Sequence, residues 1–424
     1  MKDVPSRQVR LYFPFAVMLA VNAAFFALAF ILDNPSDVFS GFLKIVTSRS
    51  ILVTDYIEIG GIGATLLNVS LVGFMSVLIF VFSGAEPNGA IIMAMWMTVG
   101  FAFFGKNVFN MLPLTAGVWL FAKYNKERFI NYSLAALLSA TVAPVISEIS
   151  FLGVFSRPAE IAAGVTLGFV IGFIFPAISA ETVKAHSGYN LYNMGFAGGL
   201  IATIFATGFK SFGIDIVPVS VWSSGNNIIL AGVLYAISAA MLCCGIFAGG
   251  VKNNIDGFVK IFRHPGRLVT DFYILYKNSI YINMAVLCAF ATTLTLVLGA
   301  ELNGPVIAGI FTVAGFGSFG KHLKNIIPVL IGAVISAYIN QWEPAYPANI
   351  MAILFSTCLA PIAGQFGWIW GITAGFLHVS VAMHVGHLNS GLNLYNNGFA
   401  AGLVVMFLLP VIIALKRDKR KKNK

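Results

Sequence analysis

Two short phrases in this chain concentrate side chains able to bind a solute. SGYNLYN runs from Ser187 to Asn193, and SGLNLYN runs from Ser390 to Asn396. A carboxamide donates and accepts hydrogen bonds, so it can replace water around a polar or ionic group. Ser187, Asn190 and Asn193 stand at i, i+3 and i+6, as do Ser390, Asn393 and Asn396. On a helix this spacing lines one face. Tyr192 and Tyr395 add a hydroxyl to each phrase. A second matched pair, GAEPNG (Gly84 to Gly89) and GAELNG (Gly299 to Gly304), offers Glu86 with Asn88 and Glu301 with Asn303. A carboxylate there could hold a coupling proton or sodium ion. Asn68 and Asn283, inside apolar segments, are further candidates for a cavity lining, because polar groups in a bilayer face cavities or partners.

Each feature has a plainer reading. Asn side chains between membrane helices can act as glue, worth about 0.6 kcal/mol each, although two matched stripes exceed what glue requires. Gly, Asn and Glu are ordinary in loops at a membrane surface. Lys106 in GKNVFN and Lys321 in GKHLKN end short apolar segments. A lysine there usually snorkels to the interface; anion binding is the alternative. Asp55 and Asp271 sit in LVTDY and LVTDF beside Thr54 and Thr270 and are expected to cap helices. Pro144 and Pro361 are expected to kink theirs.

His378, His384 and His387 occur together in FLHVSVAMHVGH, with the last two at i, i+3. They could share a metal or relay protons, which gives an alternative function as a membrane-embedded metal-binding protein or enzyme. Their counterparts earlier in the chain are Phe175, Glu181 and Lys184, so this cluster is not repeated.

What must position these groups follows from composition. The chain has 424 residues, 58% hydrophobic and 10% charged. A soluble protein carries about 25% charged residues, so this chain cannot clothe a surface in water. Apolar stretches of membrane length argue helices rather than a barrel. The net charge of +10 gathers in KRDKRKKN, Lys416 to Asn423, and around Lys2, Arg7 and Arg10. Basic ends flanking apolar spans mark cytoplasmic termini, not a nucleic-acid surface. Cys243, Cys244, Cys288 and Cys358 lie in apolar segments as small core residues. The run from Leu11 to Leu32 is too long for a signal-peptide core and is read as the first span.

The chain is a duplication. Besides the phrases above, Asn110 maps to Asn325 and Pro113 to Pro328, all in one order. Residues 1–215 form a first membrane repeat, 216–415 a second, and 416–424 a basic cytoplasmic tail. About seven apolar segments fall in each half, near 10–32, 62–83, 88–104, 108–123, 131–153, 160–181 and 189–208, then 226–249, 281–299, 303–318, 325–339, 349–366, 368–386 and 392–414. An odd number inverts the second repeat. Charge agrees: the loop KYNKER (Lys123 to Arg128) is basic, whereas its counterpart NQWEPAYPAN (Asn340 to Asn349) is not. Short, polar-interrupted segments at matching places point to a transport site, some of them as re-entrant hairpins. The expected fold is an all-α polytopic membrane protein of two inverted repeats with both termini in the cytoplasm.

The paired GAExNG, GKxxxN and SGxNLYN phrases resemble an uncharacterised bacterial family of multi-pass membrane proteins, a domain of unknown function, across nearly the whole chain. A weaker resemblance, through GYNLYNMGFAGG and LPLTAGVW (Leu112 to Trp119), is to bacterial urea transporters, whose inverted repeats line a narrow polar pore. That likeness implies a central pore; the Pro-Phe element of those transporters is missing and the order differs. The expected function is a transporter or channel, not an enzyme, for a small polar or ionic solute in the inner membrane, with the lipid bilayer as surroundings and a homo-oligomer as a possible assembly. No cofactor and no nucleic acid is expected, and no nucleotide-binding loop is evident.

Overall fold

Matched residues in the two halves make matched helices, because the same apolar runs end at the same Gly and Asn signals. The computed structural model describes residues 7–267, 270–340 and 342–422, with 7–11 and 417–422 as backbone only. Lys2, Leu268, Val269 and the last two residues of the basic tail lie outside the described residues, as do the side chains of Arg7 and Arg10. The first half contains α1 (Arg7–Leu32), α2 (Pro35–Val46), α3 (Tyr56–Gly60), α4 (Ile62–Ser83), α5 (Gly89–Phe101), α6 (Val108–Tyr124), α7 (Ser133–Leu138), α8 (Ala143–Ser150), α9 (Arg157–His186) and α10 (Asn193–Ser211). The second contains α11 (Asn227–Phe247), α12 (Val251–Ile261), α13 (Phe272–Tyr276), α14 (Ser279–Val297), α15 (Gly304–Gly315), α16 (Leu323–Ile339), α17 (Pro347–Ser356), α18 (Ala360–Phe366), α19 (Trp368–Val385) and α20 (Asn396–Lys422). Each helix of the first half thus has its counterpart ten places later.

Among the described residues there is no strand, only two isolated bridges, and nine helices are long and apolar enough to cross a membrane. The protein is an all-helical membrane protein built from two repeats. All fourteen apolar segments read from the sequence exist, within a few residues. Four helices lie outside those segments: the short α3 and α13, and the longer α2 and α12. In α2, Val38, Gly41 and Ile45 are buried while the opposite face is exposed, and α12 buries Asn254, Gly257 and Ile261. That spacing is the stripe of an amphipathic surface helix.

Three features break the long segments. First, α5 and α15 have 13 and 12 residues. At 1.5 Å per residue they reach about 20 Å, short of the roughly 30 Å hydrocarbon core. Secondly, the segment around Pro144 tightens into a 3-10 turn at Ser139–Val142, and its counterpart around Pro361 does so at Thr357–Leu359. Proline has no N–H to continue the ladder, so a break before it follows.

Thirdly, the two SGxNLYN phrases are not helical. Ser187 and Ser390 take positive φ (52° and 49°), followed by Gly188 and Gly391 at 79° and 76°. The left-handed backbone ends α9 and the turn before Ser390, so the expected helical stripe becomes a linker through residues 187–192 and 390–395. The correction is local: the polar residues were recognised, but their spacing was given the wrong period.

The halves pack through α5 against α15 and α10 against α20. At the second crossing, a Cβ on Gly195 would sit 2.6 Å from the Tyr395 carbonyl, and one on Gly398 would sit 2.8 Å from that of Tyr192. Glycine is required there so that the backbones can touch. On the outside, α1 and α11 frame an apolar groove of about 770 Å³. Large exposed side chains such as Phe82, Ile204, Ile228 and Ile369 suit contact with lipid chains.

Candidate functional site

The half-length helices place Lys106 and Lys321 inside the protein. Gly105 and Gly320 follow the ends of α5 and α15 at φ 76° and 100°, turning the chain before α6 and α16 begin. Both lysines are 0% exposed. Neither snorkels, because each side chain lies inside the packed interface and not along a lipid-facing helix. The Lys106 ammonium donates to the Tyr395 hydroxyl, and Lys321 Nζ donates to that of Tyr192 at 2.5 Å. Each bond runs from one half to the other. Lys321 also donates to Thr357 Oγ1 at 2.8 Å.

The lysine Nζ atoms are held by uncharged partners. Lys106 Nζ is 4.7 Å from the centre of the Tyr395 ring and 5.5 Å from that of Phe101. Lys321 Nζ is 4.5 Å from the Tyr192 ring and 4.8 Å from Phe316. Aromatic faces attract cations, and so do the carbonyl ends of α5 and α15. Among the described residues no carboxylate lies within 4.0 Å of either lysine. A chain of rings joins the two corners: Tyr395 to Phe101 at 4.3 Å, Phe101 to Phe355 at 5.7 Å, Phe355 to Tyr192 at 6.1 Å and Tyr192 to Phe316 at 5.0 Å between centres. Against it, Tyr192, Tyr395, Phe101, Phe355, Met97 and Leu394 enclose a cavity of about 10 Å³, room for about one water.

Asn190 and Asn393 brace the tyrosines. Asn190 Nδ2 donates to the Gly398 carbonyl at 2.9 Å, and its Oδ1 accepts from Tyr192 N. Asn393 does the same toward Gly195 at 3.1 Å and from Tyr395 N, and also accepts from Thr141 Oγ1 at 2.7 Å. The backbone is exchanged as well: Leu191 N donates to the Cys358 carbonyl, and Leu394 N to that of Thr141. Each linker thus docks on the opposite half's 3-10 turn. Such breaks persist inside a membrane only where other protein groups take up the freed hydrogen bonds.

The other candidates have different places. Asn68 Nδ2 donates to the carbonyls of Ala102 and Lys106, and Asn283 Nδ2 to those of Gly317 and Lys321; each secures the chain turn that carries a lysine. Asn88 and Asn303 cap α5 and α15 through Ile91 N and Val306 N. Asn193 accepts from Thr182 and is within 2.9 Å of His186 Nε2, while Asn396 accepts from Asn389. These two bind their own half. Ser187 is exposed, Ser390 is half-buried, and both end helices. Glu86 is exposed, and Glu301 accepts from Gly225 N at 3.1 Å. The structure therefore brings Asn190, Tyr192, Asn393 and Tyr395 together at the centre and leaves both glutamates at the outer ends of the half-helices.

Asp55 and Asp271 cap α3 and α13 as expected, through Ile57 N and Ile274 N, and reach further. Asp55 also accepts from Gly304 N at the start of α15, and Asp271 from Gly89 N at the start of α5. Burial pushes both carboxyls above their ordinary range, while these donors pull the other way. The three histidines do not converge. His378 is buried against Asn397, whereas His384 and His387 are exposed, and no three His, Cys, Asp or Glu among the described residues are grouped to hold a metal.

Sequence reasoning missed one ion pair: Glu148, fully buried, accepts from Arg49. Its partner comes from a loop distant in sequence, and no local spacing announces it. The structural role of Lys106 and Lys321 was underweighted because a lysine at a segment end looks like an interface residue.

The family model described as "Protein of unknown function (DUF1576)" matches residues 34–211 and 251–414, one region in each half. No curated protein and no solved structure matches the chain, so the likeness to urea transporters has no support from these comparisons. With matched regions covering most of both repeats, the chain belongs to the DUF1576 family of membrane proteins of unknown function.

Proposed function

We propose that this protein transports a small polar or ionic solute across the bacterial inner membrane along the interface of its two repeats. One observation carries the reading: two buried lysines, at matching breaks after half-length helices, each meet a tyrosine of the opposite half. Polar groups cost free energy inside a membrane and, where present, mark solute pathways. Broken helices from two repeats meeting at the centre are the usual architecture of such sites.

The exchanged contacts are pseudo-two-fold, since each residue meets the counterpart of its own counterpart's partner. The charge pattern supports an axis in the membrane plane, with the repeats inverted and both termini cytoplasmic. The basic loop Lys123 to Arg128 and Lys252, Lys260, Arg263 and Arg267 then share the cytoplasmic side. The small central cavity supports a carrier whose halves rearrange over a channel with a standing opening. The protein converts no substrate chemically.

Reconstituted into proteoliposomes, the protein should move at least one solute from a panel of neutral, cationic and anionic compounds, assayed with and without proton and sodium gradients. Dependence on one gradient would identify the coupling ion. Absence of flux across the whole panel, from protein that remains folded and correctly inserted, defeats the reading.

A further inference from the structure

The centre of the molecule holds two buried lysine side chains and, among the described residues, no carboxylate to match them. Lys106 and Lys321 are each surrounded by phenol, hydroxyl and aromatic groups, with no carboxylate within 4.0 Å among the described residues. Such partners offer hydrogen bonds and aromatic faces but no opposite charge. Elsewhere the same protein pairs a buried carboxylate with a base: Glu148 has Arg49. At the centre the place of the acid partner is open twice, at symmetric positions.

Building on the transport reading, we infer that the solute is a small organic carboxylate, whose acid group binds at a Lys–Tyr pair and whose carbon body lies against the ring chain between Tyr395 and Tyr192. Three features favour this class. Paired with a carboxylate, a lysine is an ammonium with three donors; Lys106 uses one on Tyr395, and Lys321 uses two on Tyr192 and Thr357, so donors remain for carboxylate oxygens. Each tyrosine hydroxyl, which accepts from its lysine, keeps its own proton to donate. Between the pairs the wall is mostly apolar: Met97, Phe101, Phe355 and Leu394 line it together with Thr312 and Asn397, and they suit a short hydrocarbon segment. A cation would find no carboxylate to balance it at either lysine among the described residues. A neutral polyol would bring no opposite charge with which a lysine could form an ion pair.

The cavity now has a volume of about 10 Å³, less than a carboxylate needs. Entry therefore requires the linkers carrying Tyr192 and Tyr395 to withdraw, which breaks the two Lys–Tyr contacts between the halves. A carboxylate that replaces the tyrosine as the lysine's partner lowers the cost of that separation, so binding and opening are coupled.

The test uses the full chain in proteoliposomes with labelled acetate, butyrate and succinate, beside glycerol, urea and rubidium. Saturable uptake of at least one carboxylate is expected, falling tenfold or more in Lys106→Met and in Lys321→Met and unchanged in Lys252→Met, which removes an exposed charge. As each central lysine variant could fail to fold, Tyr192→Phe and Tyr395→Phe are assayed too: a several-fold shift in the carboxylate half-saturation is expected with the protein still monodisperse. Thermal stabilisation of the detergent-solubilised protein by the transported carboxylate, absent in the lysine variants, gives a readout independent of flux. Transport of glycerol, urea or rubidium in place of every carboxylate, persisting in the lysine variants, overturns the inference and leaves transport itself standing. No flux of any solute, and no stabilisation by any carboxylate, removes both.

Discussion

The two lysine corners are alike in sequence and unlike in support. Lys321 has Tyr192 and Thr357 as hydrogen-bond partners, whereas Lys106 has Tyr395 alone, because Ala140 stands where the second half has Thr357. The anchoring aspartates are unequal too, and the one with more donors, Asp55, holds the start of α15, the helix that leads to Lys321. Asp55 takes four donors, Ile57 N, Ser223 N, Ser223 Oγ and Gly304 N, while Asp271 takes Ile274 N and Gly89 N. Among the described residues, only the first half carries an ion pair of the Arg49–Glu148 kind; Gln365 occupies the position matching Glu148. Duplication supplied equal scaffolds, and the corner that follows α15 has both the firmer bonds and the firmer anchor. Under the proposed transport role, such inequality lets the two sides of the cycle differ in free energy.

Breaking the Asp55 anchor should give the largest effect. Asp55→Ala strands several buried donors, including the first N–H of α15, and is expected to cost about 3 kcal/mol. Asp271→Ala, with fewer donors released, should cost about 1.5 kcal/mol on the same grounds. Thermal and denaturant unfolding in detergent measures both, and equal losses would show that the added Ser223 bonds contribute nothing.

The ion pair comes next. Arg49→Ala leaves Glu148 as a buried carboxylate without its partner and should cost about 2 kcal/mol, reduced from the fully buried case because the Arg49 side chain is 43% exposed. Adding Glu148→Gln, which copies the second half, should restore most of the loss. Failure of the double variant to recover would mean that the pair acts through geometry and not through charge.

The smallest effect tests the corners directly. Thr357→Ala gives Lys321 the surroundings of Lys106 and should cost about 1 kcal/mol in stability, the worth of one hydrogen bond. Ala140→Thr, its mirror image, should leave stability within about 0.5 kcal/mol and bring the two corners closer in kind. Identical unfolding curves for Thr357→Ala and the parent protein would erase the distinction between corners.

Much of this architecture was legible in the chain, for identifiable reasons. Repeated phrases at near-constant spacing reveal duplication without any structure, and apolar runs of fixed length reveal the fourteen segments. Asp55 and Asp271 were readable as caps because capping is local chemistry. Their second bonds, to the opposite half, were not, since nothing in LVTDY specifies what lies across an interface. SGYNLYN deceived for a different reason: spacing of three fits a helix, but Ser187 and Gly188 in left-handed backbone end it. Tyr192 and Tyr395 were named as hydroxyl carriers, while their lysine partners were expected at the membrane surface. Hydropathy reports how far a residue is from water along a segment, not which neighbour a returning chain will bring to it.

The exchange of linkers between halves bears on how the protein is made. When residues 1–215 have left the ribosome, the turn at Ser139–Val142 still lacks the N–H of Leu394, and the Asn190 amide still lacks the carbonyl of Gly398. The early half must wait in the membrane with exposed polar backbone until nearly the last helix arrives, so insertion of α20 closes both halves at once and a chain stopped short of it leaves neither complete.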